Sequence, residues 1–421
     1  MNRRSQLGSR RLLALAFVLA AAAGPVAAEP DEQALGKDQG YAIGTNLANW
    51  YDMPYRVGSW SALDKVPGVL SAVAPRATTP SPLPKAGQAR EIKYRYRNIS
   101  HTLDEYLERR RITGLLILKN GEIVAERYRY GRTEDARFIS FSMAKSVTAL
   151  LIGIAVSRGA IASLDDTAAH YAKDLAGSPY GDTTIRQLLR MSSGLRFTER
   201  YDGQDDVARL SRSVSGAPPG VVGVLRRITE RHSPAGEKFV YASAETEVLG
   251  RVLTAATGRS MTALTADWLW QPIGAERDAF WRLSPDRQEV AYAYFNASLR
   301  DWGRLGLLLA NDGRVGDRQV VPREYLLDAT DPARQPEAFR PRRASPYFGY
   351  GYQFWLFPLQ TRTFGMQGVH GQSVFVQPSS GIVMVQTAVY AGASGAQDPD
   401  AYAERGAFWM GILQSQGGQT D

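Results

Sequence analysis

The chain of 421 residues contains no cysteine. That excludes a disulfide-stapled scaffold, a thiolate metal site, a cysteine nucleophile and a lipid anchor on cysteine. A chain this long buries enough core to fold without cross-links. Histidine is scarce: His101, His170, His232 and His370 are the only four, and none forms a His-Glu-x-x-His or other close ligand pair. No metal and no organic cofactor is therefore expected. The Gly-x-Ser-x-Gly turn of nucleophile-elbow hydrolases is absent, as is a Gly-x-x-x-x-Gly-Lys phosphate loop. Basic runs are missing too. Apart from Arg109-Arg110-Arg111 the cations alternate with acids, and four of the charges behind the net +8 lie in the first 28 residues. Nucleic acid is not an expected partner.

One apolar run stands out, Leu12 to Ala23. It follows Arg3, Arg4, Arg10 and Arg11 and precedes Gly24-Pro25 and the small residues Val26-Ala27-Ala28. This order reads as a secretory signal cleaved after residue 28, with a periplasmic or secreted product. Twelve apolar residues are too few for an ordinary membrane span; an uncleaved anchor is the alternative.

Residues 29–90 are rich in Gly, Pro and Ala and read as a wrapping N-terminal arm, with a Pro-punctuated extended connector at "APRATTPSPLPKAG". Thr102 caps a helix over "LDEYLERRR". Leu115 to Lys119 and Glu122 to Tyr128 form a hairpin across Asn120-Gly121. A helix that stops at Gly159 follows, then a mainly helical stretch. After residue 345 aromatic and β-branched residues mark strands, with a turn at Pro378 to Gly381, and "AYAERGAFWMGILQ" closes the chain as a helix. The expected division is a signal at 1–28, an arm at 29–90, an α/β sheet domain from 91–138 and 341–421, and a helical domain at 139–340.

The helix after the hairpin begins "FISFSMAKSVTALLIG". Ser142 and Lys145 are three apart and share a face. A serine hydroxyl is a weak nucleophile that needs an adjacent base. Lysine serves as one when desolvation lowers its pKa, and its flanks here are apolar, so Lys145 is expected to be largely neutral. A serine in the first turn also places its own N–H among the unpaired donors that can face an oxyanion. The alternative is an N-cap serine beside a solvated lysine. This is the only Ser-x-x-Lys in the chain. Two further features fit catalysis. Tyr241, on the loop of "PAGEKFVYAS", is placed to relay a proton, or else is a packed aromatic. Gly371, before the strand "QSVFVQP", lets a substrate approach the backbone, or else is an ordinary turn glycine.

"SMAK", "TIRQLLRMSSGL", "PAGEKFVYAS", "SLRDWGRLGLLL", "YGYQFW" and "GVHGQSVFVQPSSGIVMV" occur in this order. Together they resemble the serine β-lactamase and penicillin-recognising family. Within it the chain is most similar to class C β-lactamase-like hydrolases of the 6-aminohexanoate-dimer (nylon-oligomer) hydrolase branch, over residues 50–415. The resemblance implies an α/β, β-lactamase/transpeptidase-like fold, an antiparallel sheet flanked by helices with an inserted helical domain. It implies Ser142 as the acylated nucleophile, Lys145 as its base and Tyr241 as the proton-transferring tyrosine, with the N–H groups of Ser142 and Gln372 as the oxyanion hole. It further places Tyr201 as a lid tyrosine, and Asn296, Ser243, His370 and Gly371 around the substrate. Two positions depart from the pattern. Ser243 stands where an asparagine is usual, and Val369-His370-Gly371 lacks the lysine that meets the carboxylate of a β-lactam. The implied activity is therefore hydrolysis of small-molecule carboxylic esters or linear amides through an acyl-serine. The alternatives are D-peptide cell-wall hydrolysis, weak β-lactamase activity, a catalytically silent penicillin-binding-like sensor, and an envelope structural protein attached through its arm.

Overall fold

Asn120 and Gly121 both adopt positive φ, 51° and 86°, the backbone that a two-residue hairpin turn requires. They join strands Ile112–Lys119 and Glu122–Tyr128. This computed structural model describes residues 30–88 and 90–421, so the expected signal at 1–28 lies outside the described residues. The hairpin forms one edge of a seven-stranded antiparallel sheet. Its order runs Gly349–Tyr350, Trp355–Leu356, Phe364–Gly368, Gln372–Gln377, Ile382–Ala388, Ile112–Lys119, Glu122–Tyr128. The sequence reading missed Phe364–Gly368, where Gly365 and Gly368 interrupt the pattern of large side chains.

Strand Ile112–Lys119 is buried along nearly its whole length, which requires cover on both faces. Leu115 and Ile117 pack with Phe375 and Met384 on one face, beneath Phe408, Trp409 and Ile412 of the closing helix Pro399–Gln416 and beside helix Leu103–Arg109. Leu116 and Leu118 join Val374, Val383 and Val385 on the other. Helix Leu299–Ala310 presses on that second face through two glycines. A Cβ on Gly303 would come within 2.6 Å of Leu116, and one on Gly306 within 2.4 Å of Val383.

A second sheet, absent from the sequence reading, crosses the expected divisions. Leu70–Ala74 of the arm pairs with Ala279–Leu283, which pairs with Phe295–Ala297, which pairs with Phe138–Ile139. The arm is therefore one strand of a sheet as well as a wrapping segment. The stretch expected to be mainly helical also contributes two strands. Leu70–Ala74 shows little alternation, its first four residues being exposed or half-buried, and its partner is two hundred residues away, so no local signal announces it.

Helix Met143–Ser157 packs against strands Phe364–Gly368 and Gln372–Gln377 of the large sheet and against helix Ser243–Thr257, with thirteen of its fifteen residues buried. A helix apolar on all sides belongs in a core. It ends as expected, with Gly159 at φ 73°. Among the described residues no helix is long and apolar enough to cross a membrane.

Candidate active site

Ser142 precedes the buried helix with helical dihedrals (φ −68°, ψ −6°), and its side chain makes no cap hydrogen bond. An N-cap serine has extended backbone and accepts from the helix start; Ser142 does neither. Its Oγ instead receives the Nζ of Lys145 at 2.8 Å. Lys145 is 1 % exposed, and its ammonium also donates to the Tyr292 carbonyl at 3.1 Å. Burial lowers the lysine from 10.5 to about 8, with the charge of Glu199 opposing. Lys145 is thus half-neutral near pH 8 and mainly charged at pH 7, a smaller shift than the largely neutral base expected from sequence. The residue before the serine, Phe141, is held at φ 42°, a costly conformation for a bulky side chain and one found at functional turns.

Tyr241 places its ring 5.0 Å from the Lys145 ammonium and stacks on Trp355 with centroids 5.4 Å apart. Burial, then the charge of Glu199, pushes its hydroxyl well above 10, while a hydrogen bond with Ser142 opposes the rise. Tyr241 is therefore a protonated donor at neutral pH rather than a tyrosinate base.

Sequence reasoning missed Glu199. Its carboxylate accepts from the Tyr201 hydroxyl at 2.8 Å, from the Ser243 hydroxyl at 2.9 Å and from the Ser243 backbone N–H at 2.8 Å. Ser243 opens helix Ser243–Thr257, so the carboxylate sits where the helix dipole favours an anion. Tyr201, at φ 60°, is fixed further by its N–H on Asp205 at 2.7 Å. Tyr201 and Ser243 thus both reach the site, held by one acid. The only sequence signal for Glu199 was its position two residues before Tyr201.

Ser142, Glu199, Tyr201 and Val369 lie between two lobes. One, of about 530 Å³, is walled by Trp50 and Tyr51 of the arm, Tyr292, Tyr294 and Arg282. The other, of about 720 Å³, is walled by Tyr241, Phe348, Trp355, Phe357, Met410 and Arg405. The arm is therefore part of the site.

The third-segment expectation needs correction. Gly368 and Val369 reach the cavity wall; His370, Gly371 and Gln372 do not. A Cβ on Gly368 would meet the Ser140 carbonyl at 2.3 Å, so this is the glycine that lets the strand close on the serine turn, whereas one on Gly371 would meet the Tyr390 ring. The Gln372 side chain is buried against the Ala388 backbone, donating to its carbonyl at 2.7 Å. His370 is buried, and burial together with the charge of Arg56 takes it down to about 3, so it is neutral. Its Nδ1 lies 2.8 Å from the Tyr390 carbonyl. A carbonyl only accepts, so Nδ1 carries the proton and Nε2 accepts from the Tyr51 hydroxyl. His370 holds the arm instead of the substrate. Asn296 also lies off the cavity. It is fully buried in the second sheet, and its Nδ2 donates to the Tyr294 carbonyl at 2.7 Å. Among the described residues no cluster of His, Asp or Glu could hold a metal ion.

An antiparallel sheet flanked by helices, with a Ser-x-x-Lys helix opening into a cavity beside it, defines a class of penicillin-recognising-type folds. The sequence profile of the beta-lactamase family matches residues 99–407, and the chain belongs to that family. A 6-aminohexanoate-dimer hydrolase of Paenarthrobacter ureafaciens is 26% identical over 295 residues, 68% of this chain and 74% of that protein. Among solved structures, a Bacillus anthracis protein provisionally assigned as a 6-aminohexanoate-dimer hydrolase superposes with a TM-score of 0.78 at 22% identity, covering 90% of this chain and 98% of the other. A penicillin-binding protein homologue from Caulobacter crescentus superposes with a TM-score of 0.51 at 18% identity, covering 67% and 87%. The expected fold class and family are thereby met, and the family is one of hydrolases.

Proposed function

We propose that the chain hydrolyses carboxylic esters or linear amides through an acyl-serine. The observation that carries this reading is the 2.8 Å contact between Lys145 Nζ and an uncapped Ser142 Oγ. Neutral Lys145 takes the Ser142 proton as Oγ attacks the carbonyl carbon. The N–H groups of Ser142 and Val369, two residues that both line the cavity, stabilise the oxyanion; Val369 replaces Gln372 in this role. Tyr241, a protonated hydroxyl against both Lys145 and Ser142, donates to the leaving nitrogen or oxygen as the carbonyl–heteroatom bond breaks. Its proton is replaced from Lys145. Water then attacks the acyl-serine by the reverse route. The relatives named for hydrolysis of a 6-aminohexanoate dimer support the choice of amides and esters.

Hydrolysis of β-lactams is disfavoured in this reading. No lysine stands in the third segment, and the nearby Arg405 is engaged by Ser373 at 2.6 Å and by Gln367. Arg342 and Arg343 do not reach the cavity. Residues 1–28 act as a cleaved export signal, which N-terminal sequencing of the exported protein tests by a start at Glu29. The substrate reading is tested by kcat/KM on p-nitrophenyl esters, short linear amides and nitrocefin. Nitrocefin turnover equal to the best ester refutes the preference.

A further inference from the structure

The smaller lobe contains a buried charge without a counter-charge. Arg282 is 3 % exposed, yet among the described residues no carboxylate stands within ion-pair distance of it. Its Nη2 donates to the Ser215 hydroxyl at 2.8 Å, and its Nε is buried with no acceptor. The guanidinium lies 5.0 Å from the Tyr294 ring and 6.0 Å from that of Trp50. Cation–π contact offsets part of the cost of burying a cation but leaves its Nε–H unused. Both rings and Ser215 line the lobe with Arg282.

The acids on the same wall are already committed. Asp205 accepts backbone N–H groups from Arg200, Tyr201 and Ala208, and Glu199 is taken by Tyr201 and Ser243. Arg212, whose Nη1 is held by the Gly203 carbonyl at 2.9 Å, adds positive charge at the rim. A guanidinium with an unpaired Nε in an aromatic-walled pocket suits the planar geometry of a carboxylate.

The position of Tyr241 says which half of the substrate enters. Tyr241 lines the larger, aromatic lobe and not the Arg282 lobe. If Tyr241 protonates the leaving group, that group departs through the aromatic lobe, and the acyl chain extends from Ser142 toward Arg282. We propose that Arg282 is an anion subsite for the acyl chain, so that the preferred substrates are esters or amides whose acyl part ends in a carboxylate, with an apolar leaving group. This inference rests on the acyl-serine reading above.

The test is kcat/KM of the full exported chain on two series of p-nitrophenyl esters. One carries ω-carboxyacyl chains from succinyl to suberyl, the other uncharged acyl chains of equal length. At the best length the carboxylated ester is expected to be favoured roughly ten- to a hundredfold, the worth of one charge-assisted contact. Arg282→Gln brings the ratio near one, and Arg282→Lys, which keeps the charge but loses the fork, retains part of it. A wild-type ratio of one at every length overturns the subsite whether or not the variants fold, as does an unchanged ratio in Arg282→Gln. If neither series is hydrolysed, the acyl-serine reading itself fails. If both are hydrolysed without discrimination, only the subsite fails.

Discussion

Tyr51 and His370, 319 residues apart in sequence, are joined by a part-buried hydrogen bond from the tyrosine hydroxyl to the histidine Nε2. The bond fixes the arm as a wall of the active site, because Trp50 and Tyr51 line the lobe that Ser142 opens into. Tyr51→Phe leaves Nε2 buried and unpaired, which costs about 1–3 kcal/mol. Urea unfolding of wild type and variant measures this loss. Equal stability contradicts the role given to the pair.

The pH dependence of acylation follows Lys145. With its pKa lowered to about 8 by burial, the neutral base form grows as pH rises. kcat/KM on an activated ester is therefore expected to climb from pH 6, reach half its maximum near pH 8 and level off above. Glu199 holds that pKa up by its charge, so Glu199→Gln moves the midpoint to lower pH. A flat profile between pH 6 and 9, or a midpoint shifted upward in Glu199→Gln, contradicts this.

Tyr241 is assigned to the leaving group, and leaving groups differ in their need for a proton. p-Nitrophenolate departs as an anion, whereas an alkylamine must be protonated. Tyr241→Phe should therefore slow hydrolysis of a linear amide by about 10²–10⁴-fold and that of a p-nitrophenyl ester much less. Equal losses on the two substrates would place the tyrosine elsewhere in the reaction.

Legibility in sequence followed the range of the interactions. Ser142 and Lys145 were visible because helix geometry brings positions three apart together whatever surrounds them. The hairpin was visible because Asn-Gly specifies its own turn. The third segment was misplaced by a few residues for a definite reason. Gly368 and Gly371 are both plausible sites of close approach, and only the packing of Ser140 against Gly368 distinguishes them. His370, at φ 60°, turns the chain away from the cavity at that point. Glu199, Val369, Trp50 and Arg282 reach the site from four separate segments, and no local pattern joins them. Arg282 carried one faint signal, a cation inside the apolar strand "AFWRL".

The double substitution at the serine and lysine tests whether they act as one unit. Ser142→Ala and Lys145→Ala are each expected to abolish most activity, and the pair to lose little more than either alone. Losses that multiply in the double variant would mean independent roles.

The most direct measurement of the central claim is covalent labelling with a fluorophosphonate, mapped by mass spectrometry. The account predicts one adduct, on Ser142, that forms faster as pH rises through about 8 and is lost in Ser142→Ala. An adduct on Ser193 or Ser243, or no adduct on any serine, contradicts it.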